Sequence, residues 1–458
     1  MINSSSWQQT TTGALCEYIT SGSRDWRSYY SDSGAIFVRT QDINKDRLDL
    51  TNVAFVKLPE RIEGKRSRLQ GGDLLVTITG ANVGKVAIVP DDIPEAYVSQ
   101  SVGLMRLKDK RYAPFLYHFL QSEETGRKRL LGLVYGIGRP VLSLQNLREV
   151  PVSLPSLEEQ RRIVAEIEKQ FTRLDAGVAA LRRVQANLKR YRAAVLKAAC
   201  EGRLVPTEAD LARREGRNFE TGEQLLQRIL TDRRRNWAGR GKYNEPKGPK
   251  HTASDVLPAG WTWATFEQLS ERVTVGFVGS MKHEYVASGI PFLRGQNVRE
   301  NRFCAEGLLY VSRAFHDSLP KSALRPGDLA VVRSGAVGVT CVIPPILKEA
   351  NCSDLVLVQR PLGIVPQYGA YYMNSLAKRH VEAGKVGVAL THFNTKSVAA
   401  LVVPLPPIDE QERIVAEVER RLSVIDKLEA VVTANLACAT RLRQSVLHEM
   451  FGRDFPVA

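Results

Sequence analysis

The sequence predicts a mixed α/β (α+β) protein, in which two β-rich globules are separated by an antiparallel pair of long coiled-coil helices with a pseudo-twofold internal repeat. Three observations predict this fold class. One block of sequence occurs twice. Each copy opens a stretch with apolar residues three and four apart, and each copy follows a segment of short apolar runs bounded by glycine and proline.

The repeated block begins at Leu154 and again at Leu405. The two copies open with LPSLEEQ and LPPIDEQ, and both continue with RIVAE after one further residue. Ten of the 21 positions from Leu154 to Leu174 are identical without a gap. Weaker matches lie upstream at offsets of 254 or 255 residues, for example Trp7 with Trp261. The order along the chain is therefore globule, helix, globule, helix.

Each block opens a predicted helix with one apolar seam, because residues three and four apart share a helix face. The first stretch, 158–199, would extend roughly 60 Å, which is too long for one small domain. Packing the two helices on each other buries both seams, and two separate surface helices are the alternative. The predicted seam and partner-contact residues are Ile163, Ile167, Leu174, Leu181, Leu188, Ile414, Val418, Leu422 and Ile425.

The two helix starts carry different signals. Ser156 and Glu159 fit a capping box, in which the hydroxyl and the carboxylate each accept from a free backbone N–H group. The second copy lacks that serine. Pro407 with Asp409 and Glu410 in the first turn can start the second helix instead.

Charge and composition favour a polyanionic partner. The chain has 64 Lys and Arg against 49 Asp and Glu, a net charge of +15, which is typical of a protein that binds nucleic acid. Its six cysteines form no C-x-x-C pair and its histidines have no metal-ligand spacing, so we expect no metal and no cofactor. No apolar run approaches the length of a membrane span. We expect a cytoplasmic protein with no membrane contact.

The doubled Leu-Pro-x-x-x-Glu-Gln-x-x-Ile-Val block, with each copy after a globule of roughly 150 residues, resembles the specificity subunits of type I restriction-modification enzymes. The segment Pro258-Ala259-Gly260-Trp261 is also similar to the usual start of a target-recognition domain in that family. The amino-terminal copy departs from this pattern, because Ser4-Ser5-Ser6 precedes Trp7. The resemblance covers nearly the whole chain.

This resemblance implies a division of labour along the chain. Each of two target-recognition domains reads one half of a split double-stranded DNA target, and the conserved helices dock two modification (methyltransferase) subunits. The restriction subunits join through the resulting complex. The implied segments are target-recognition domain 1 (1–153), a central conserved helix (154–202), a polar, basic connector with one short helix (203–257), target-recognition domain 2 (258–404) and a carboxy-terminal conserved helix (405–452).

Candidate DNA-binding residues occur at matching places in the two globules. Arginine suits guanine, and glutamine or asparagine suits adenine. A glycine-rich turn at 80–85 can place backbone N–H groups and side chains against DNA, although an ordinary tight turn is the alternative. For the Arg-x-Gln pairs the alternative is a solvated strand end or an internal salt bridge. The predicted residues are Arg39, Gln41, Asn82, Lys85, Tyr135, Arg139, Arg294, Gln296, Arg333, Ser334, Thr391, His392 and Asn394.

Motifs for catalysis are missing from the sequence. The turn at 80–85 is one residue short of a P-loop and lacks its Ser or Thr, and no methyltransferase cofactor loop or Asn-Pro-Pro-Tyr/Phe motif occurs. We therefore expect a non-catalytic recognition subunit. A general RNA- or DNA-binding module and a coiled-coil scaffold without sequence preference are the alternatives.

Overall fold

The computed structural model describes residues 7–22, 26–59, 65–238, 241–249, 256–377 and 394–452. The chain divides into two compact units. Unit 1 comprises Met1–Arg183 and Val432–Ala458, and unit 2 comprises Val184–Val431.

Unit 1 contains two four-stranded sheets. The first is wholly antiparallel, and the second has one parallel pair, between Ala96–Val98 and Ala35–Val38. In spatial order the strands of the first sheet are Cys16–Ser21, Val102–Leu107, Leu74–Thr77 and Val86–Ile88, and those of the second are Ala96–Val98, Ala35–Val38, Ala54–Val56 and Tyr30–Ser31. Two small pairs join Gln8–Thr11 to Pro151–Leu154 and Ile43–Asn44 to Arg47–Leu48.

Unit 2 repeats this topology strand for strand. Its parallel pair joins Ile290–Leu293 to Asn351–Cys352 and corresponds to the parallel pair of unit 1. In spatial order the strands of its first sheet are Ser270–Val275, Leu355–Pro361, Leu329–Val332 and Thr340–Val342. Those of its second sheet are Asn351–Cys352, Ile290–Leu293, Leu309–Val311 and Tyr285–Val286. The small pairs are Thr262–Thr265 with Val402–Leu405 and Val298–Arg299 with Arg302–Phe303.

The short apolar runs form strands that are covered on both faces. Leu74 and Val76 belong to one core cluster, while Leu75 between them belongs to another. Side chains alternate across a strand, so such a strand separates two apolar layers. In unit 2, Leu329 and Ala330 divide in the same way.

Two helices of 44 residues follow the repeated blocks. The first long helix is Leu157–Cys200 and the second long helix is Ile408–Phe451. Among the described residues, the remaining α-helices of unit 1 are Thr12–Leu15, Ala113–Gln121, Gly126–Gly132 and Leu144–Arg148. Those of unit 2 are Glu208–Glu215, Gly222–Arg235, Arg313–Ser318, Pro366–Tyr372 and Thr395–Ala399. The predicted fold class is confirmed: the protein is mixed, with two sheet-rich units and long helices.

Both long helices contribute to both units. The start of the first helix and the end of the second belong to unit 1, and their other halves belong to unit 2, which is the sorting that an antiparallel pair requires. In unit 1, Phe171 and Leu447 share one core cluster. In unit 2, Val195 and Ile414 share another. Of the predicted seam residues, Ile163, Ile167, Leu188, Ile414, Val418 and Ile425 are buried, and Leu174, Leu181 and Leu422 are half-buried.

The helix starts differ from the predicted caps in one respect. The Ser156 hydroxyl accepts from the Glu159 N–H at 3.3 Å, as predicted. The Glu159 carboxylate, however, accepts from Arg162 at 2.7 Å. Among the described residues no helix is long and apolar enough to cross a membrane, and no cluster of His, Cys, Asp and Glu side chains has the arrangement of a metal site.

The connector contains more structure than its polar composition indicates. It has two helices, Glu208–Glu215 and Gly222–Arg235, where the sequence predicts one. Thr221 and Gln224 form a capping box on the second of these helices. Its apolar face is buried in the core of unit 2, beside residues of the β-rich globule. The described part of the connector is therefore packed as part of unit 2.

Candidate nucleic-acid interface

The glycine-rich turn of unit 1 joins the strands Leu74–Thr77 and Val86–Ile88. Gly84 has φ +85, a backbone conformation that strains residues with a side chain, so glycine is favoured there. Four backbone donors of the turn are used within the protein. The hydrogen bonds, of 2.9 to 3.1 Å, run from the N–H groups of Gly80, Val83, Gly84 and Lys85 to the carbonyl oxygens of Pro140, Gly80, Thr77 and Asn82, respectively. These four N–H groups are therefore engaged within the protein, while the side chains of Asn82 and Lys85 are half-exposed.

A second predicted loop lies directly against this turn. Tyr135 and Val141 exchange backbone hydrogen bonds of 3.0 and 2.8 Å, which closes residues 136–140 into a small hairpin tip. The Gly80 N–H donates to Pro140 O at 3.0 Å, so the tip is fixed beside the glycine-rich turn. Tyr135 and Arg139 are both exposed. The structure therefore brings together four predicted residues of unit 1: Asn82, Lys85, Tyr135 and Arg139.

Arg39 has an internal partner. Its Nε and Nη2 atoms donate to the Asp42 carboxylate at 3.1 and 3.0 Å, and Nη2 also donates to Asn52 O at 3.0 Å. The hydrogen bond with Asp42 raises the pKa of the Arg39 guanidinium. Two of its donors are thus engaged by a buried carboxylate, which is the internal salt bridge that the sequence left open. Gln41, in the same turn, is exposed.

The corresponding turn in unit 2 holds its arginine differently. Asn297 replaces the acidic residue, and its Oδ1 accepts only from the backbone N–H of Arg294, at 3.0 Å. Arg294 Nη2 and Gln296 Nε2 both donate to Gly307 O, at 3.1 Å each. A neutral anchor of this kind constrains the guanidinium less than a carboxylate does. Arg294 is therefore more available to an anionic or guanine partner than Arg39.

Arg333 and Ser334 follow the strand Leu329–Val332 and share one acidic partner. Asp354 Oδ1 accepts from Arg333 Nη1 at 3.3 Å, and Asp354 Oδ2 accepts from the Ser334 hydroxyl at 2.8 Å. Asp354 has φ +51, an uncommon conformation for a residue with a side chain. This backbone geometry places the carboxylate where it orients both side chains. About half of the Asp354 side chain remains exposed.

The turns that carry these residues lie at one edge of each unit. In unit 2 the Ser353 N–H donates to Leu293 O at 3.1 Å, which places the Asp354 turn beside the Arg294 turn. In unit 1 the Ser99 N–H donates to Val38 O at 2.9 Å in the same way. Strand ends next to such a parallel pair carry side chains that the sheets position but do not bury. The two units thus present equivalent edges with different side chains.

The third predicted loop of unit 2 is only partly described. Thr391 and His392 lie outside the described residues. Asn394 is the N-cap of the helix Thr395–Ala399, and its Oδ1 accepts from the Ser397 N–H at 2.9 Å and the Ser397 hydroxyl at 3.1 Å. Its acceptor is therefore used by the helix end, which leaves the amide N–H₂ group for other partners.

Sequence reasoning missed two residues at these edges. Asp354 gives no signal in the sequence, because its link to Arg333 joins residues that are 21 positions apart. Ile137 lies within a loop that the sequence identified, but the pattern drew attention to its polar neighbours. The structure shows Ile137 to be wholly exposed at the loop tip. The available signal in the sequence was an aliphatic residue between two glycines, Gly136 and Gly138.

Residues 5–179 match the family model of the type I restriction modification DNA specificity domain. The chain is similar to the type I restriction enzyme EcoKI specificity subunit of Escherichia coli (strain K12), with 23% identity over 96% of this chain and 87% of the relative. The EcoBI specificity subunit of Escherichia coli is 25% identical over 68% of this chain and 59% of the relative.

The fold has a counterpart among solved structures. A chain solved in work on complex assembly and conformational transition of the type I R-M system has a TM-score of 0.64 and 21% identity, with 98% of each chain covered. Together with the sequence matches, this confirms the predicted resemblance. Over nearly its whole length the chain is similar to specificity subunits of type I restriction enzymes, and residues 5–179 match the type I restriction modification DNA specificity domain.

Proposed function

We propose that the chain is the DNA sequence-specificity subunit of a type I restriction-modification complex. It reads a bipartite duplex target, one half with each unit, and docks two modification subunits, through which restriction subunits join. It contributes no catalytic group. The observation that carries this proposal is the strand-for-strand repeat of two sheets that end in equivalent polar edges with different side chains. One repeated fold that presents two different sets of side chains suits a DNA target with two different halves.

An exchange of one recognition domain tests the two-reader model. Replacing residues 1–153 by the corresponding domain of another specificity subunit is expected to change one half of the target and leave the other intact. Methylated sites are mapped in cells that contain the complete system with the original or the exchanged chain. If both halves change, or neither does, the two units do not read independently. Preferential binding of RNA in competition with duplex DNA would instead favour a general nucleic-acid module.

Arg333 is the best-oriented candidate reader in unit 2. Arg333→Ala is expected to weaken binding of the cognate duplex by about 1–3 kcal/mol and to relax the preference at one base pair. Asp354→Asn should have a smaller effect in the same direction, because the arginine remains but loses its charged anchor. Competition binding with duplexes altered one base pair at a time measures both effects.

Arg272→Ala is the control for Arg333. Arg272 Nη2 donates to Gln359 Oε1 at 2.8 Å within unit 2, and the sequence does not place it among the readers. Its substitution should leave base preferences unchanged. A uniform loss of affinity across all sequences in Arg333→Ala would make Arg333 a phosphate contact and contradict its assignment as a reader.

A further inference from the structure

The tip of the 135–141 hairpin presents an aliphatic side chain to solvent. Ile137 is wholly exposed, whereas an isoleucine of a folded protein is usually among the most buried residues. Gly136 has φ +94, and an added Cβ atom there would lie 2.7 Å from Arg139 O. The tip is thus a tight turn that requires glycine and holds the isoleucine outward.

The stem of this hairpin is fixed to the sheet. Backbone hydrogen bonds join Tyr135 to Val141 in both directions, and the Leu142 N–H donates to Ile78 O at 2.9 Å. Ile78 immediately follows the strand Leu74–Thr77. Ile137 is therefore carried on a short, well-anchored projection, and it is not part of a long loop that could fold back and bury it.

The neighbourhood of Ile137 is polar and basic. Arg139 lies two residues away on the same tip, and the adjoining turn carries Asn82 and Lys85. These side chains suit phosphates and base edges. On the base edges of the DNA major groove, the apolar feature is the C5-methyl group of thymine. An aliphatic side chain that enters the groove among polar neighbours therefore has one apolar partner available there.

We propose that Ile137 is a specificity-determining residue that reads a thymine through contact with its C5-methyl group, in the half-target bound by unit 1. This inference rests on the proposed function and adds to it. The base type follows from the chemistry of the contact, because a cytosine at the same place offers no methyl group and a purine offers polar groups.

Deoxyuridine substitution isolates the methyl group. The full chain, purified with a modification subunit of its system, is bound to duplexes in which each thymine of the target is replaced singly by deoxyuridine. One replacement in the half-target of unit 1 should weaken binding about fourfold, equivalent to ~0.8 kcal/mol for one buried methyl group. Ile137→Ala should bind the thymine and deoxyuridine duplexes equally, and Ile137→Val should retain most of the difference.

Ile346→Ala is the matched control. Ile346 is an equally aliphatic and largely exposed residue of unit 2, between the strands Thr340–Val342 and Asn351–Cys352, and it should keep the full sensitivity to deoxyuridine. Selective binding without any deoxyuridine effect in that half, or an effect that persists in Ile137→Ala, overturns the inference and leaves the proposed function intact. A half-target without a T:A pair also overturns it. Absence of any sequence-selective duplex binding overturns both.

Discussion

Replacement of Glu410 by alanine is expected to lower the free energy of unfolding of unit 2 by about 3 kcal/mol, a value typical of a buried charged group that loses its partners or leaves them unpaired. Glu410 is completely buried in the first turn of the second long helix. Burial raises the pKa of its carboxyl group. Because burying a carboxyl group is costly, its presence here indicates that neighbouring groups require its hydrogen bonds.

Two donors from separate segments converge on this carboxylate. Glu410 Oε2 accepts from the Glu208 N–H at 2.8 Å, at the start of a connector helix. Glu410 Oε1 accepts from Trp261 Nε1 at 3.0 Å, at the start of the second globule. One side chain thus holds the connector, the globule and the second long helix together. Alanine would leave both buried donors unsatisfied.

The internal repeat supplies the control. Glu159 is the counterpart of Glu410 in the first long helix, but its side chain is 23% exposed and pairs with Arg162 of the same helix. Glu159→Ala should cost less than about 1 kcal/mol, as exposed ion pairs do. Glu410→Gln keeps one side-chain acceptor, so its loss of unfolding free energy should lie between those of Glu159→Ala and Glu410→Ala. Chemical denaturation of the full chain, monitored by tryptophan fluorescence, measures the free energy of unfolding of the three variants. Equal destabilisation by Glu159→Ala and Glu410→Ala would contradict the anchoring role of Glu410.

The architecture was predictable because it is repeated and periodic. The copies at Leu154 and Leu405 revealed the repeat, and the spacing of apolar residues revealed the long helices. The sequence did not reveal what each copy of the block does. Glu159 and Glu410 occupy the same place in the pattern, yet Glu159 is half-buried and pairs within its own helix, whereas Glu410 is a buried anchor. The second copy is preceded by a connector that folds onto it.

The candidate interface was only partly predictable. Residue type placed Arg39 and Arg294 in equivalent turns, and the structure confirms that equivalence. Their surroundings depend on one neighbouring difference, Asp42 against Asn297, which engages one arginine and leaves the other more available. Partner preferences of this kind depend on contacts between segments that are distant in the sequence. Which side chains read bases therefore stays a prediction from chemistry and geometry.

The connector shows the same limit. Its composition indicates an exposed tether, yet Leu225, Leu226 and Ile229 are buried against the globule of unit 2. These three apolar residues lie in one short amphipathic stretch and pack it against the globule, because tertiary burial outweighs an unfavourable average composition.

The second long helix presents an exposed apolar face on which we expect a modification subunit to dock. Val424, Leu428 and Val431 lie four and three residues apart on the second long helix, so they share one face. Their exposed fractions are 49%, 46% and 55%, which is high for aliphatic side chains of a helix that elsewhere buries Ile425 and Val432. We name these three residues the apolar stripe. We expect a modification subunit of the proposed complex to contact this stripe.

Val431→Lys is expected to weaken the association with a modification subunit by at least about 30-fold, because a charge that is desolvated in an apolar contact costs ~2 kcal/mol or more. The change should not affect folding, since Val431 is exposed in the chain itself. Val278→Lys is the matched control: it introduces the same charge at another exposed valine of unit 2, in the segment that follows the strand Ser270–Val275. Calorimetric titration of the full chain with the modification subunit measures both variants. If both associate as tightly as the original chain, the stripe does not contact that subunit; if both fail equally, the added charge acts without regard to place.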